Sequence, residues 1–400
     1  MIYTTPHNLQ SSHILGTSPD DIDTSRKGSD RWLLIFVITL MVFGILAVYS
    51  AIAFFAESNQ TTAGSLVFGH MIKIGIAFIV MLIASKIDYH LLARFSRYAL
   101  LISWILLTVV HFSGTEVFGA RRSLDLGAFS FQPSSLASIS LLLHVCLLLY
   151  KKQEYIKDFK TSFIPLIFWI LPTCFLIGLE DFSTASVLLS ISLLLMFIGR
   201  IHSGHLSIIL VAGIALGSLM IANSPERQNR IKQYVDQVVD VNSSSFALGE
   251  GYQTQQAHIA IARGQLFGVG VGKSTQRAFL PAPYNDFIFA IIAEEYGLIG
   301  SLALLSVFTM ILFRGFVFIA RKAYDQLGML IATAGTIYLT LYGFINAAVA
   351  CGLLPVTGLP MPFVSYGGSF MLMAGLVVGI LLNVSKSAGS HETTNNVQNN

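Results

Sequence analysis

Three carboxylates near residue 290 are the side chains of this sequence that point most directly to chemistry. Asp286, Glu294 and Glu295 lie in or just before an apolar run, where a charge needs a polar cavity or a functional role. Asp286 follows Pro281 and Pro283, so we expect it at the mouth of a helix. A carboxylate there suits general-base activation of a hydroxyl, and capping of the helix explains it equally well. Glu294 lies about 12 Å further along the helix, as a second catalytic carboxylate or as the structural partner of an arginine.

The composition places this helix in a membrane. Of the 400 residues, 11% are charged and 54% are hydrophobic, whereas about a quarter of the residues of soluble domains are charged. Cys146, Cys174 and Cys351 lie in or beside apolar runs and form neither a paired framework nor a CxxC motif. We therefore expect a polytopic membrane protein without redox chemistry or a cysteine-held metal, and we assign no metal ligands.

The apolar runs predict the number of membrane crossings. A bilayer core about 30 Å thick needs about 20 apolar residues per helix, so we predict an all-α fold with about ten transmembrane helices. The ten segments are 32–55, 66–86, 97–113, 134–150, 162–179, 182–199, 205–222, 287–320, 328–350 and 366–384. One long extracytoplasmic loop, 223–286, joins spans seven and eight. Residues 31–385 form a single transmembrane domain between polar tails, 1–30 and 386–400, that we predict to be disordered.

The distribution of lysine and arginine orients these spans. Ten spans place both termini on one side of the membrane, and most of the cations fall on that side. These are Arg26, Lys27, Arg31, Lys86, Arg94, Arg97, Lys151, Lys152, Lys157, Lys160, Arg200, Arg314, Arg321, Lys322 and Lys386. Because cytoplasmic loops carry an excess of lysine and arginine, we expect both termini in the cytoplasm.

A second group of cations falls on the opposite, extracytoplasmic side. It consists of Arg121, Arg122, Arg227, Arg230, Lys232, Arg263, Lys273 and Arg277. Cations placed against the bias indicate an anionic partner at that face. The alternative is that a loop of about 60 residues is translocated whatever its charge.

The 223–286 loop has internal order. Residues 224–240 carry apolar side chains at helical spacing between charges, which predicts an amphipathic helix at the membrane surface. Four glycines between 264 and 272 keep the backbone pliable where a ligand or another chain could approach closely. The run GVGVGKST resembles a phosphate loop, but Phe267 stands where that motif needs glycine, which argues against nucleotide binding.

Other polar positions occur close to or inside the apolar spans. Lys73 and Asn346 stand within spans, where each could be a satisfied hydrogen bond of the bundle. Asp181 is a stronger candidate, because it lies on the same outer side as the long loop. The 351–369 segment is rich in proline and glycine. Because such a segment persists at membrane depth only when it is buried in protein or lines a cavity, we expect it to shape one wall of the site.

Four stretches together resemble one known family over nearly the whole transmembrane length. They are GARRSLDLGAFSFQPSSL (119–136), EDFSTA (180–185), the run from GYQTQQAHIAIARGQLFGVGVGKSTQ to DFIFAIIAEEYGLIG (251–300), and GLLPVTGLPMPFVSYGGS (352–369). The chain is similar to the SEDS family (shape, elongation, division and sporulation) of peptidoglycan glycosyltransferases, which includes FtsW and RodA. The GVGVGKSTQ and PYNDFIFAIIAEEYG runs are more similar to FtsW, the division member, than to RodA, the elongation member.

The resemblance implies that the protein polymerises lipid II, a disaccharide-peptide on an undecaprenyl diphosphate, outside the cytoplasmic membrane. The essential aspartate of the family matches Asp286, which would deprotonate a sugar 4-hydroxyl, and the conserved glutamate matches Glu294. The lipid diphosphate is the anion that the outward cations would meet. The predicted substrate-binding residues are Arg121, Arg122, Lys273 and Arg277 for the phosphates, with Asp181, Gln253, Gln276 and Ser365 from the same stretches.

The resemblance also implies partners and a location. We expect a cognate class B penicillin-binding protein, other division proteins and membrane lipid as partners, and no nucleic acid. The expected location is the cytoplasmic (inner) membrane at the division septum, with the active face extracytoplasmic. We assign no cofactor, and whether a divalent cation assists at the diphosphate stays open.

The chain departs from the family pattern at five positions. Ser123 replaces a tryptophan, Ser135 and Ser138 replace a glutamate and a lysine, and Ala282 and Tyr284 replace a glutamate and a histidine. Losing two opposite charges together leaves no uncompensated buried charge. Three other functions stay open: a flippase for the same lipid, a RodA-like elongation polymerase and a catalytically inactive division scaffold. We find no internal repeat of the kind common in transporters, which argues against transport.

Overall fold

Helices make up most of the described part of the chain, which in the computed structural model comprises residues 29–58, 63–117, 120–125, 130–239, 249–280 and 282–398. The helices are α1 (Arg31–Ser58), α2 (Ala63–Ala84), α3 (Tyr89–Ser113), α4 (Pro133–Lys151), α5 (Ile164–Glu180), α6 (Phe182–Ile198), α7 (Ser203–Ala222), α8 (Pro225–Val239), α9 (Gly249–Gly264), α10 (Ile288–Phe313), α11 (Gln326–Ala350) and α12 (Gly368–Gln398). The strands are β1 (Thr115–Val117), β2 (Ala120–Asp125) and β3 (Ser130–Phe131).

The transmembrane helices agree with the predicted spans. Over the described residues, nine helices are long and apolar enough to cross a membrane, and α6 is a shorter apolar helix of 17 residues. α10 continues through a π-helical turn, Arg314–Ala320, as one span of 33 residues. The all-α membrane architecture is therefore confirmed, and the exact number of crossings stays a prediction.

The start of α3 differs from its predicted boundary. The hydropathy pattern begins this span at residue 97, whereas the helix begins at Tyr89. Asp88 caps the helix, because its Oδ1 accepts a hydrogen bond from His90 N at 2.9 Å. Tyr89 is buried and its backbone N donates to Asn383 Oδ1 at 3.1 Å. The cap and this contact with α12 stabilise two turns that a count of apolar residues misses.

The two ends of the chain stay partly predictions. α12 is long and apolar enough to cross a membrane between Gly368 and Ser387, and it continues as a helix to Gln398. The predicted N-terminal tail, 1–30, lies outside the described residues except for its last two positions. The disorder of both tails, their cytoplasmic location and the domain limits 31–385 are not tested by this geometry.

A small antiparallel sheet follows α3, in a region for which the sequence predicted only a loop. Its strand order is β1-β2-β3, with Glu116 opposite Arg121 and Leu124 opposite Phe131. β2 packs against α3, α4 and α5. The strands thereby hold the segment that carries Arg121 and Arg122 against the ends of three helices.

The described parts of the 223–286 segment, residues 223–239, 249–280 and 282–286, are folded. α8 confirms the amphipathic helix predicted over 224–240. α9 packs against α10 with its backbone almost in contact, since a Cβ on Gly264 would lie 1.8 Å from Ala293 O. Only glycine fits at this position.

A break in α10 completes this contact. Gly297 interrupts the helix with φ 67°, a left-handed conformation that glycine adopts without strain. The chain after α9 bonds to the backbone on both sides of the break, with Val269 N donating to Glu294 O and Leu298 N donating to Gln265 O, both at 2.9 Å. The close approach predicted at these glycines is therefore made by the chain's own α10.

Candidate functional site

A cavity of about 490 Å³ opens between α2, α6, α8, α9, α11 and β2. The turn before α10 and the proline-rich loop before α12 complete its walls, as predicted for the 351–369 segment. Its charged lining residues are Lys73, Arg122, Asp181, Glu226, Arg230 and Asp286. The predicted site residues that meet here are Arg122, Asp181, Gln253 and Asp286.

Asp286 lies two residues before α10 and turns its carboxylate to the cavity. The capping residue of α10 is Phe287, which makes no side-chain cap hydrogen bond. Asp286 Oδ2 lies 3.7 Å from the point that a Cβ on Gly358 would occupy, and Arg122 Nη1 lies 3.5 Å from the same point. The carboxylate and the guanidinium therefore both lie beside Gly358, and the helix-capping explanation of Asp286 has no support in this geometry.

Hydrogen bonds tie the backbone around Asp286 to the proline-rich loop. Asn346 Nδ2, on α11, donates to Asp286 O at 3.1 Å and to Leu359 O at 2.9 Å. Ser365 Oγ donates to Asn285 O at 2.8 Å. Ser365 is buried and does not line the cavity. Ser365 was predicted to bind substrate, whereas in the structure its side chain contacts the turn before α10.

Burial and neighbouring charges set the proton affinity of Asp286. Burial raises the pKa of Asp286 to about 6; the positive charges of Arg122 and Arg230 lower it, and the carboxylate of Asp181 raises it. A base works best when its pKa lies near the working pH. Asp286 is therefore largely ionised at neutral pH and basic enough to accept a proton from a hydroxyl.

Two arginines reach the cavity from different elements. Arg122, on β2, donates through Nε to Glu180 O at 3.3 Å. Arg230, on α8, pairs with Glu226 at 3.4 Å. A guanidinium group offers two parallel donors to phosphate oxygens, so this pair suits a diphosphate. Arg230 was not among the predicted site residues, although its place in an outward amphipathic helix was the signal for it.

Asp181 has a structural contact as well as a place in the cavity wall. It caps α6, with Oδ1 accepting from Thr184 N at 3.1 Å and Oδ2 accepting from Thr184 Oγ1 at 2.9 Å. Its carboxylate is therefore held in a set orientation beside Asp286. Gln253 reaches the same cavity from α9.

Glu294 lies in a different environment from Asp286. It is fully buried and accepts hydrogen bonds from Thr275 N at 3.1 Å, from Gln276 N at 3.2 Å and from Ser274 Oγ. Arg263 Nε lies 3.9 Å from its Oε1. This geometry agrees with the alternative interpretation of Glu294 as a structural partner of an arginine. Its carboxylate organises the chain between α9 and α10.

The neighbouring cations also lie away from the cavity. Lys273 is exposed, and Arg277 Nη1 donates to Ser50 O on α1 at 2.8 Å. Glu295 accepts a hydrogen bond from Ser50 Oγ. Arg121 belongs to β2, and its side chain lies outside the described part of the chain. The predicted site residues that the structure does not bring to the cavity lining are Lys273, Gln276, Arg277, Glu294 and Ser365.

The positions that depart from the family pattern have different surroundings. Ser123, Ser135 and Ala282 line the cavity, where their small side chains leave room. Ser138 is fully buried in α4, so the two replaced charges do not share one environment. The Tyr284 ring packs edge-on against another tyrosine ring.

Lys73 and Tyr366 also line the cavity, and neither was among the predicted site residues. Lys73 was noted as a polar position within a span, but α2 is apolar over nearly its whole length, so no pattern shows which of its faces is turned inward. Tyr366 lies in the 351–369 segment, which was expected to shape one wall of the site. Within the described part of the chain, no group of three or more His, Cys, Asp or Glu side chains could hold a metal ion.

Comparisons with known proteins cover nearly the whole chain. A family model described as a cell cycle protein, for FtsW, RodA and SpoVE, matches residues 31–390. Stage V sporulation protein E of Bacillus subtilis is 32% identical over 368 residues, which is 91% of this chain and 98% of that protein. The probable peptidoglycan glycosyltransferase FtsW of Coxiella burnetii is 31% identical over 365 residues, or 89% of this chain and 96% of that protein.

Solved structures share the fold. A chain from a peptidoglycan synthase complex, described for its structural coordination of polymerization and crosslinking, aligns with a TM-score of 0.71 at 22% identity, over 90% of this chain and 98% of that chain. The rod shape determining protein RodA of Thermus thermophilus aligns with a TM-score of 0.64 at 24% identity, over 92% and 98%. At such identities the likeness establishes the helical membrane architecture.

Proposed function

Because the chain belongs to the FtsW/RodA/SpoVE family, we propose that it is a peptidoglycan glycosyltransferase that polymerises lipid II into glycan strands. The matches to FtsW and SpoVE proteins confirm the predicted resemblance, including its closeness to FtsW. The observation that carries the proposed mechanism is the meeting of Asp286 with Arg122 and Arg230 at one cavity. A base and two phosphate-binding groups are the parts that this transfer needs.

In the proposed reaction, the incoming sugar brings its 4-hydroxyl to the Asp286 carboxylate. The hydroxyl oxygen forms a bond to the anomeric carbon of the growing strand while Asp286 takes its proton. The bond between that carbon and the diphosphate oxygen breaks, and the diphosphate leaves with the electron pair. Arg122 and Arg230 stabilise the negative charge that develops on the leaving group. Proton transfer to a positioned base contributes about 10²- to 10⁴-fold in rate.

The other predicted site residues keep proposed roles of two kinds. Asp181 and Gln253 line the cavity and contact the substrate beside the base. Glu294 is a positioning residue, because its hydrogen bonds order the 274–276 segment. The remaining candidates act on the substrate from outside this cavity or through the loops they hold. They are Arg121, Lys273, Gln276, Arg277 and Ser365.

The proposal extends to place and partner. We place the cavity at the extracytoplasmic face of the cytoplasmic membrane, with both termini cytoplasmic, on the lysine and arginine distribution. A cognate class B penicillin-binding protein is the proposed partner, supported by a structural neighbour from a complex that couples polymerization to crosslinking. Similarity to FtsW supports a role at the division septum.

The test is polymerisation by the purified chain with its transpeptidase partner and labelled lipid II. Asp286→Asn should abolish glycan formation while membrane insertion is retained, because the change removes the base and keeps the side-chain size. Asp236→Asn, on α8 outside the cavity lining, is the matched control and should polymerise at the wild-type rate. Full activity of Asp286→Asn would contradict the mechanism. Lipid movement across vesicles without any polymer from the wild-type chain would instead support the flippase.

A further inference from the structure

Lys73 is a cation in the middle of a membrane-spanning helix. It is the eleventh of the 22 residues of α2, about 15 Å along the helix from its first residue. A lysine at such a position is costly in lipid, and it persists where it faces a polar cavity or a partner. Lys73 lines the same 490 Å³ cavity as Asp286.

A tyrosine holds the Lys73 ammonium in this cavity. Lys73 Nζ donates to Tyr366 OH at 3.0 Å and lies 4.1 Å from the centre of the Tyr366 ring. The ring stacks on His70 at 5.3 Å, and Tyr366 N donates to Tyr284 O at 2.8 Å. Tyr366 is therefore held from two sides, and it keeps the ammonium at the cavity wall.

The ammonium has donors to spare. A lysine side chain carries three N–H donors. Within the described part of the chain, the hydrogen bond to Tyr366 uses one of them, and no aspartate or glutamate oxygen lies within 4.0 Å of Lys73 Nζ. The other two donors are available to an anion in the cavity. A hydrogen bond within the helix bundle therefore does not by itself explain why a lysine stands at this position.

Two anions enter this site if the proposed reaction is correct. The growing strand and the incoming lipid II each carry a diphosphate, and only the diphosphate of the growing strand leaves. That leaving group is attached to the carbon under attack, close to Asp286 and its neighbours Arg122 and Arg230. The second diphosphate is one disaccharide away from the attacking hydroxyl. It needs a cation of its own, at a greater distance from the base.

We propose that Lys73, oriented by Tyr366, binds the diphosphate of the incoming lipid II, the one that stays attached during the transfer. This inference rests on the proposed function and assigns the second lipid-binding position within it. Lys73 lies about halfway along a membrane-spanning helix, and the phosphates lie at the lipid end of the substrate. This position therefore favours a phosphate over a peptide carboxylate as the bound anion. A lysine also binds phosphate well as a compact point charge.

The test is a titration of the detergent-purified chain with farnesyl diphosphate, which carries the phosphates and a short lipid without sugar or peptide. The wild-type chain should bind it at two positions. Lys73→Met should weaken one of them about tenfold or more, as expected for a lost charge-assisted hydrogen bond. Lys73→Arg should restore most of that binding. Lys232→Met removes an exposed lysine of α8 that does not line the cavity, and it should bind as wild type does.

A second arm separates the phosphate from the peptide as the source of the anion. A soluble disaccharide-pentapeptide without diphosphate should bind Lys73→Met and wild type equally. If Lys73→Met binds farnesyl diphosphate like wild type, or loses the disaccharide-pentapeptide instead, the inference is overturned. Should Lys73→Met not fold, the same titration on Tyr366→Phe decides, since loss of the orienting hydroxyl should weaken one position and an unchanged titration overturns the inference.

The failure of this inference is distinguishable from failure of the proposed function. Asp286→Asn should bind farnesyl diphosphate at both positions and form no polymer. Polymer formation by Asp286→Asn would remove the proposed mechanism whatever Lys73→Met does. An unchanged titration of Lys73→Met, with an inactive Asp286→Asn, would remove only the assignment of Lys73.

Discussion

Replacing Asp286 by asparagine should stabilise the fold while it removes activity. Burial raises the pKa of Asp286 from 3.8 to about 6, so the folded protein binds this proton more tightly than the unfolded chain does. Above pH 6 the ionised carboxylate therefore opposes folding. Asparagine keeps the shape of the side chain and removes the charge. The variant should accordingly be more stable than the wild type at alkaline pH.

The size of the effect follows from the shift in pKa. Each pKa unit corresponds to about 1.36 kcal/mol, so the change from 3.8 to about 6 corresponds to about 3 kcal/mol. Asp286 is partly exposed and lines a cavity that admits water, so solvent screens its charge. We therefore reduce the expected stabilisation to about 1–2 kcal/mol. Below the unfolded pKa of 3.8, the carboxyl group is protonated in both states and this contribution is absent. The stabilisation of the variant grows as the pH rises through this window and is complete above about pH 6.

Thermal unfolding in detergent measures this difference, at one scan rate and at about pH 4 and pH 8. We expect Asp286→Asn to unfold a few degrees above wild type at pH 8 and close to wild type at pH 4. Asp181→Ala is the control from the same cavity. Because Asp181 caps α6 through two hydrogen bonds to Thr184, its loss should lower stability by about 1 kcal/mol.

Two results would refute the reasoning. Asp286→Asn could unfold at or below the wild-type temperature at pH 8, which would mean that partners stabilise the carboxylate more than burial destabilises it. Alternatively, the difference between variant and wild type could be the same at both pH values. In that case ionisation of Asp286 would not be its cause.

Three further predictions concern Asp286, the neighbouring Gly358, and Glu294. The initial rate of polymerisation at limiting lipid II should rise with pH through a midpoint near 6, because Asp286 must be ionised to act as a base; a flat profile from pH 5 to 8 would contradict this. Gly358→Ala should lower polymerisation about tenfold or more, because alanine is strained at the φ of +68° found at this position. The added methyl would also lie beside the proposed reacting groups, 3.5 Å from Arg122 Nη1 and 3.7 Å from Asp286 Oδ2. A kinetic assay of the folded variant checks this prediction. Glu294→Gln should lower the unfolding temperature, with a loss of about 2–3 kcal/mol, because the carboxylate accepts several hydrogen bonds such as that from Thr275 N; an unaltered melting curve would count against the positioning role.

The membrane spans could be predicted from the sequence, because a helix that crosses a bilayer must be apolar over about 20 residues whatever surrounds it. α8 could be predicted as well, because its charged and apolar residues alternate at helical spacing. Asp286 and Arg122 were identified by the same logic, as charges where charges are costly or placed against the topogenic bias. Such signals are local, so they can be read without knowing which helices are neighbours.

The surroundings of Glu294 could not be read in this way. Its partners lie in the 274–276 segment, and they reach it because α9 packs closely against α10 at Gly264 and the chain bonds across the break at Gly297. The glycines are visible in the sequence, but a glycine does not reveal what approaches it. The hydrogen-bond partners of Glu294 are therefore a property of the tertiary structure.

The sheet and the inner face of α2 were missed for different reasons. β1 and β3 have three and two residues, too few to show the alternation that marks a strand. α2 is apolar apart from a few positions such as His70 and Lys73, so its sequence does not indicate which other elements form the cavity that Lys73 faces. Both facts depend on which elements surround them.

The hydrogen bonds of Asn346 have a consequence for how the enzyme tolerates its surroundings. One amide group on α11 bonds both to Asp286, the proposed base, and to the loop on the other side of the cavity. In contrast, α7 has Ile209 as its one fully buried residue among those described. A thicker or thinner bilayer would tilt peripheral helices such as α7 first. The reacting groups would keep their spacing, so catalysis should depend little on the lipid composition of the membrane.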